Sequence, residues 1–160
     1  MSNNEVKVVI RPLIAEDLTL VTKIEQSSFK NPWTLSQFQY ELQENPFATI
    51  LVITYRDIVV GYSDFWITFE SATINKIAVR QELRHFGLGK LLLQDTLQRI
   101  MQTKVVNVIT LEVRTSNEAA IKLYQQAGFK INHTKRAYYD DGEDAYYMMK
   151  GAHEDENTSH

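Results

Sequence analysis

Three stretches of this chain have the residue types and spacing to do chemistry. The first is Arg84-His85-Phe86-Gly87-Leu88-Gly89-Lys90, which follows an apolar, β-leaning run (Ile77, Ala78, Val79) and opens a helix-patterned segment that reaches Gln102. A strand that turns through two glycines into a helix aims several backbone N–H groups at one point, and the helix dipole favours negative charge there. Such a loop either holds a phosphate or is a plain strand-to-helix turn in which glycine relieves the backbone. A Walker A loop would place Gly where this chain has Arg84 and Ser or Thr where it has Leu91, and a dinucleotide fingerprint would need a third Gly at Leu92. Neither nucleotide motif fits.

The second is Glu112, inside the apolar run from Val105 to Val113. A carboxylate there points either to solvent on a half-exposed face or into a cleft, where desolvation raises its pKa toward the range of a useful base. The third is Ser116-Asn117 followed by Glu118 to Phe129, which reads as an N-cap and a short helix closed by Gly128. Tyr124 on that helix is a candidate proton donor or simply a core aromatic.

These groups need a scaffold, and the hydrophobic periodicity supplies one. Val6 to Pro12 reads as a strand, Ala15 to Ser28 as a helix with Leu18, Val21 and Ile24 on one face, and Thr34 as an N-cap with Gln37 at the capping-box position of a helix reaching Leu42. Phe47 to Tyr55 and Ile58 to Thr68 are β-rich, with Arg56-Asp57 as a hairpin turn between them. After the central strand, loop and helix come a strand at Val105 to Val113, a helix from Asn117 to Ala127, and strands at Phe129–Tyr139 and Asp144–Lys150 joined by an Asp141-Gly142 hairpin. Strands mixed with helices throughout indicate an α/β or α+β domain, and the consecutive hairpins make its sheet mixed.

Composition narrows the function classes. With 160 residues, 44% of them hydrophobic, the chain suits one domain over residues 1–150 with a polar, disordered tail at 151–160. It carries neither a long apolar run nor the basic-then-apolar start of a signal peptide, so a soluble cytoplasmic protein without a membrane partner is expected. Zero cysteines excludes disulfides, thiolate metal sites and a cysteine nucleophile. The four histidines lack ligand spacing, so no metal is expected. Gly61-Tyr62-Ser63-Asp64-Phe65 imitates a nucleophile elbow but lacks its final Gly and falls in a strand. A net charge of −3 without a basic run argues against direct nucleic-acid binding. The acidic groups at Asp140 to Asp144 and Glu154 to Glu156 read as a solvated turn and tail.

Taken together, Arg84-x-x-Gly87-x-Gly89 after a strand, then Leu111-Glu112-Val113-Arg114, Asn117, and Ala-x-x-Leu-Tyr124-x-x-x-Gly128-Phe129 resemble the GCN5-related N-acetyltransferase (GNAT) family over nearly the whole chain, from Val8 to Met149. Asn31-Pro32-Trp33-Thr34, Asn75 to Val79 and Arg136-Ala137-Tyr138-Tyr139 with its acidic hairpin are most similar to the branch that acetylates the N-terminal alanine of a small-subunit ribosomal protein. The chain departs from its relatives at Phe86, where they commonly carry a polar or basic residue, and at Gln81, where Pro is common.

The resemblance implies a mostly antiparallel sheet of about seven strands flanked by about four helices, and an enzyme using acetyl-CoA without a metal. It implies that residues 84–90 hold the pyrophosphate of CoA, that a backbone N–H among Ile77, Ala78 and Val79 stabilises the oxyanion, and that Asn117 binds the pantetheine or acetyl end, a role that competes with plain N-capping. It further implies Glu112 as general base, Tyr124 as general acid, Tyr138 and Tyr139 lining the acceptor groove, and a monomer or weak homo-oligomer. An acetyltransferase for another amine and a noncatalytic acyl-CoA-binding module are the rival readings, since a fold does not fix its substrate.

Overall fold

Hydrophobic periodicity switches along the chain between the strand and helix repeats, and the elements follow it. They are β1 (Val8–Pro12), α1 (Leu18–Ser28), α2 (Leu35–Gln43), β2 (Ala48–Tyr55), β3 (Ile58–Thr68), β4 (Ser71–Val79), α3 (Leu88–Gln102), β5 (Val108–Arg114), α4 (Glu118–Gln126), β6 (Lys130–Lys135) and β7 (Ala145–Gly151). This is a computed structural model that describes residues 7–152. The strands form one seven-stranded sheet in the order β1-β2-β3-β4-β5-β7-β6. The β1–β2, β5–β7 and β6–β7 pairs are antiparallel and β4–β5 is parallel. The mixed, mostly antiparallel sheet with four helices is the architecture that the sequence predicts. The chain divides into two compact units, one comprising the chain through Phe65 with Lys76–Thr96, the other Trp66–Asn75 with Leu97 onward.

In the first unit, α1 turns Leu18, Val21 and Ile24 into a core with Phe38, Ile50, Val52, Val59, Tyr62 and Ala78, and Phe29 and Trp33 pack against it. The rings of Trp33 and Phe38, and of Phe38 and Tyr62, meet edge-on with centroids 5.3 and 5.6 Å apart, a preferred aromatic geometry. Thr34 opens α2 with the expected capping box. Its hydroxyl accepts from the Gln37 N–H at 3.2 Å, and the Gln37 side chain accepts from the Thr34 N–H at 2.8 Å. Arg56 and Asp57 both adopt left-handed φ values, 50° and 66°, as a two-residue hairpin loop requires. Gly61 permits a close approach between strands. A Cβ there would lie 2.7 Å from the Ala78 carbonyl oxygen and 2.9 Å from an Ile53 methyl.

In the second unit, β4 pairs with β5 from Ser71↔Val108 to Ile74↔Leu111, and β5 pairs with β7 from Val108↔Gly151 to Arg114↔Ala145. Leu111 and Val113 are buried, whereas Glu112 between them is half-exposed, so the strand alternation sends the carboxylate to the opposite face. Asn117 caps α4, its side-chain oxygen accepting from the Ala120 N–H at 3.2 Å, and Gly128 past the helix end has φ +100°.

Several boundaries differ from those read in the sequence. β4 starts at Ser71, ahead of Asn75, and β5 starts at Val108 instead of Val105, because the Asn107 N–H is spent on the Glu70 carbonyl at 2.7 Å. The last two strands pair as the antiparallel hairpin that Asp141-Gly142 signals, but the first of them ends earlier than Tyr139 and the connection is longer. β6 ends at Lys135, Ala137 takes φ +49°, and residues 136–144 form a longer connection in which Gly142 donates to the Tyr139 carbonyl at 2.8 Å. Nor is the acidic turn merely solvated. Arg114 draws in Asp141 and Glu143, each at 2.8 Å, and the Asp144 carboxylate accepts from the Ala137 N–H at 2.8 Å. Gly151 belongs to β7 and Ala152 is buried. Val6 and the rest of the expected tail, including Glu154 to Glu156, lie outside the described residues.

Candidate active site

The first unit carries the glycine loop. After β4 a single 3-10 turn, Gln81–Leu83, leads to His85 with φ +74° and Gly87 with φ +81°. A Cβ at Gly87 would meet nothing within 4 Å, so the glycine is there for its left-handed backbone and not for space. The Leu91 N–H reaches the Gly87 carbonyl at 3.1 Å. The amides of Leu88, Gly89 and Lys90 precede that bond and are the donors a helix start leaves without intrahelical partners. Residues 84–87 and Lys90 are exposed. A run of helix-start amides, with Leu88 buried, Gly89 half-buried and an exposed lysine beside them, suits a pyrophosphate. The Arg84 side chain faces elsewhere, its Nε on the Val79 carbonyl at 3.0 Å and a terminal nitrogen on the Ser28 hydroxyl at 3.2 Å. It braces the end of β4 while its backbone contributes to the loop.

Just ahead of Ile77–Val79 lies a buried polar cluster that the sequence reading missed. Glu25 is fully buried and accepts from the Tyr62 hydroxyl, from Lys76 Nζ at 2.5 Å and from the Trp33 N–H at 2.8 Å. The Lys76 ammonium also faces the rings of Phe29 and Trp33, 4.8 and 4.7 Å from their centroids. Burial, reinforced by the Glu25 charge, pushes the Tyr62 phenol far above its usual range, so it stays a donor. A signal for Glu25 was present, since it continues the Leu18-Val21 face of α1 at helical spacing.

The second unit carries Glu112. It stands opposite Tyr147 across the β5–β7 ladder, with its side chain 27% exposed. Lys135 Nζ lies 2.5 Å from its Oε1. The Tyr138 phenol is also influenced by that carboxylate, whose hydrogen-bonding pull, with burial and the Glu112 charge, pushes the phenol up to about 12. Tyr138 and Tyr139 meet edge-on at 5.0 Å, and the Arg114 guanidinium lies 4.0 Å from the centroid of the Tyr139 ring. Burial raises the Tyr139 phenol against the opposing charge of Arg114. Tyr124 is buried on α4 and packs edge-on against Phe129 at 5.9 Å. Burial, and secondarily Tyr139, push its phenol well above the usual range, which keeps it protonated.

Glu112, Tyr138 and Tyr139 therefore come together as one cluster with Lys135 and Tyr147, and Tyr124 is within electrostatic reach of it through Tyr139. Asn117 acts as a helix cap. Lys135 and Tyr147 carried no signal in the sequence, because only the strand register brings them to Glu112. Among the described residues no group of three or more His, Asp or Glu side chains could hold a metal ion, and no helix is long and apolar enough to cross a membrane.

Known proteins resemble this chain over most of its length. A Bacillus subtilis (strain 168) protein that bears a provisional name as a [ribosomal protein bS18]-alanine N-acetyltransferase is 38% identical over 89% of this chain and 94% of its own length. The Escherichia coli (strain K12) [ribosomal protein bS18]-alanine N-acetyltransferase is 31% identical over 87% of this chain and 94% of its own. The crystal structure of the ribosomal-protein-S18-alanine N-acetyltransferase from Escherichia coli superposes with a TM-score of 0.83 at 28% identity, covering 96% of this chain and 99% of that one. The sequence profile of the acetyltransferase (GNAT) family matches residues 18–129, so the chain belongs to the GNAT acetyltransferase family.

Proposed function

We propose that this GNAT enzyme transfers the acetyl group of acetyl-CoA to the N-terminal alanine of ribosomal protein bS18, in the cytoplasm where ribosomes are assembled. The reading is supported by the names of the relatives and by one structural observation above all. Glu112 is an accessible carboxylate set among aromatic faces with an ammonium already on it, a chemistry suited to an amine acceptor.

Acetyl-CoA supplies the acetyl thioester, and the main chain of Arg84, His85, Phe86, Gly87, Leu88, Gly89 and Lys90 holds its pyrophosphate. The acceptor α-amine has an ordinary pKa near 7.7–8.0, so at neutral pH it arrives largely as an ammonium and must lose a proton. Glu112 takes that proton, directly or through a water. A backbone N–H among Ile77, Ala78 and Val79 meets the negative charge developing on the carbonyl oxygen, a contribution whose loss typically lowers rates about 10²–10³-fold. Tyr124, held protonated by burial, donates to the departing thiolate. Asn117 orients the pantetheine end, and Tyr138 and Tyr139 line the acceptor groove.

The test is release of free CoA with three peptides: one with a free N-terminal alanine, its N-blocked copy, and one whose only amine is a lysine. Turnover with the free-alanine peptide alone is the expected result. Preference for the lysine peptide would reassign the acceptor, and acetyl-CoA binding without turnover on any amine would leave a noncatalytic binding module.

A further inference from the structure

Glu112 is never a bare carboxylate in this structure. Lys135, the last residue of β6, donates to it at 2.5 Å. The Lys135 ammonium lies 5.3 Å from the Tyr138 ring centroid and 4.7 Å from that of Tyr147. A carboxylate flanked by two aromatic faces is the set of groups that recognises an alkylammonium. The protein thus fills with its own lysine a site shaped for the charge that an acceptor amine carries. The pair is not locked in, since the side chains of Lys135 and Glu112 are 34% and 27% exposed. Ion pairs of that exposure typically contribute only about 0.2–1 kcal/mol.

We propose that Lys135 is a tethered stand-in for the acceptor ammonium, and that the acceptor binds by exchanging its α-ammonium for Lys135 on Glu112. This rests on the acetyl-transfer reading above and adds to it a residue that governs acceptor selectivity. A tethered competitor acts at an effective concentration in the millimolar range. A small amine that offers only its charge therefore competes poorly, whereas a peptide N-terminus with further contacts displaces the lysine. In the resting enzyme the same contact holds Glu112 in place beside the lysine that faces the aromatic rings.

The exchange is tested by equilibrium binding and by KM, using a hexapeptide with a free N-terminal alanine and its N-acetylated copy against wild type, Lys135→Met and Lys135→Arg. Removing the competitor should tighten binding of the free-amine peptide, and lower its KM, by about two- to fivefold. Binding of the acetylated copy should not change. Lys135→Arg, which keeps a cation on Glu112, should show no such tightening, and Lys135→Gln guards against a folding defect peculiar to Met. Unchanged or weaker binding of the free-amine peptide by both neutral variants would overturn the exchange, as would equal tightening of the blocked peptide. Wild type that binds free and blocked peptides equally would instead overturn the acceptor reading on which the proposal rests.

Discussion

Two carboxylates in this molecule have the same kinds of partner and opposite surroundings. Glu25 holds Lys76 and Tyr62 and its lysine faces Phe29 and Trp33; Glu112 holds Lys135 and its lysine faces Tyr138 and Tyr147. Glu25 is wholly buried with a lysine only 14% exposed, while the Glu112 pair stays within reach of solvent. A buried carboxylate is bound by every donor around it and has no way to exchange them, so it fixes structure. A carboxylate at the surface can trade a partner for a ligand, and it is on that freedom that the proposed role of Glu112 as base depends. Chemical type alone does not separate the two; burial does.

The largest loss is expected at the buried carboxylate. Glu25→Ala leaves the Lys76 ammonium, the Tyr62 hydroxyl and the Trp33 N–H without their acceptor, and should destabilise the protein by about 3–5 kcal/mol. Glu112→Ala should lower stability by less than about 1 kcal/mol. Urea denaturation of the two variants side by side measures the gap, and equal losses would erase the distinction.

The lysines provide a second, smaller contrast. Lys76→Met strips the cation from a buried carboxylate and should lower stability by about 2–3 kcal/mol in the same assay. Lys135→Met should remain within about 1 kcal/mol of wild type.

Asp17 is a third paired carboxylate, held by an arginine. Its carboxylate is nearly buried, and Arg11 grips it at 2.7 and 3.0 Å while the Ile14 N–H donates at 2.9 Å. Burial alone would raise the Asp17 carboxyl, but the Arg11 hydrogen bonds, the Ile14 N–H and the Arg11 charge outweigh it and hold the group below the usual carboxylate range. A depressed folded-state pKa gives stability that is present above the unfolded value, near 3.9, and is lost as the pH falls through the folded one. Asp17→Asn should therefore be less stable than wild type at pH 7, by on the order of 1 kcal/mol, with the difference shrinking under acid. Thermal unfolding followed from pH 7 down to pH 3 reads this directly.

What the sequence made legible follows the reach of the interactions. The Thr34–Gln37 capping box and the Arg56-Asp57 turn are settled by atoms within a few residues of one another, and both stand where local chemistry put them. The Asp141-Gly142 turn does join an antiparallel pair, but its loop is longer than read, and a remote partner holds it: Arg114, 27 residues before Asp141, binds the acidic turn. The same limit hid half of the candidate site. Glu112 stood out as a charge in an apolar strand, but Lys135, 23 residues away, reaches it only through the β5–β7–β6 register. Glu25 and Lys76 are 51 residues apart, and helical spacing could reveal that Glu25 faces the core but not what neutralises it there.

The most direct measurement is the single-turnover rate of acetyl transfer from acetyl-CoA to the free-alanine peptide by wild type and by Glu112→Gln, both shown by denaturation to be folded. If Glu112 is the base, the rate should fall about 10²–10⁴-fold while stability is nearly unchanged. An undiminished rate in a folded Glu112→Gln enzyme would contradict the account and require the proton to leave by another group.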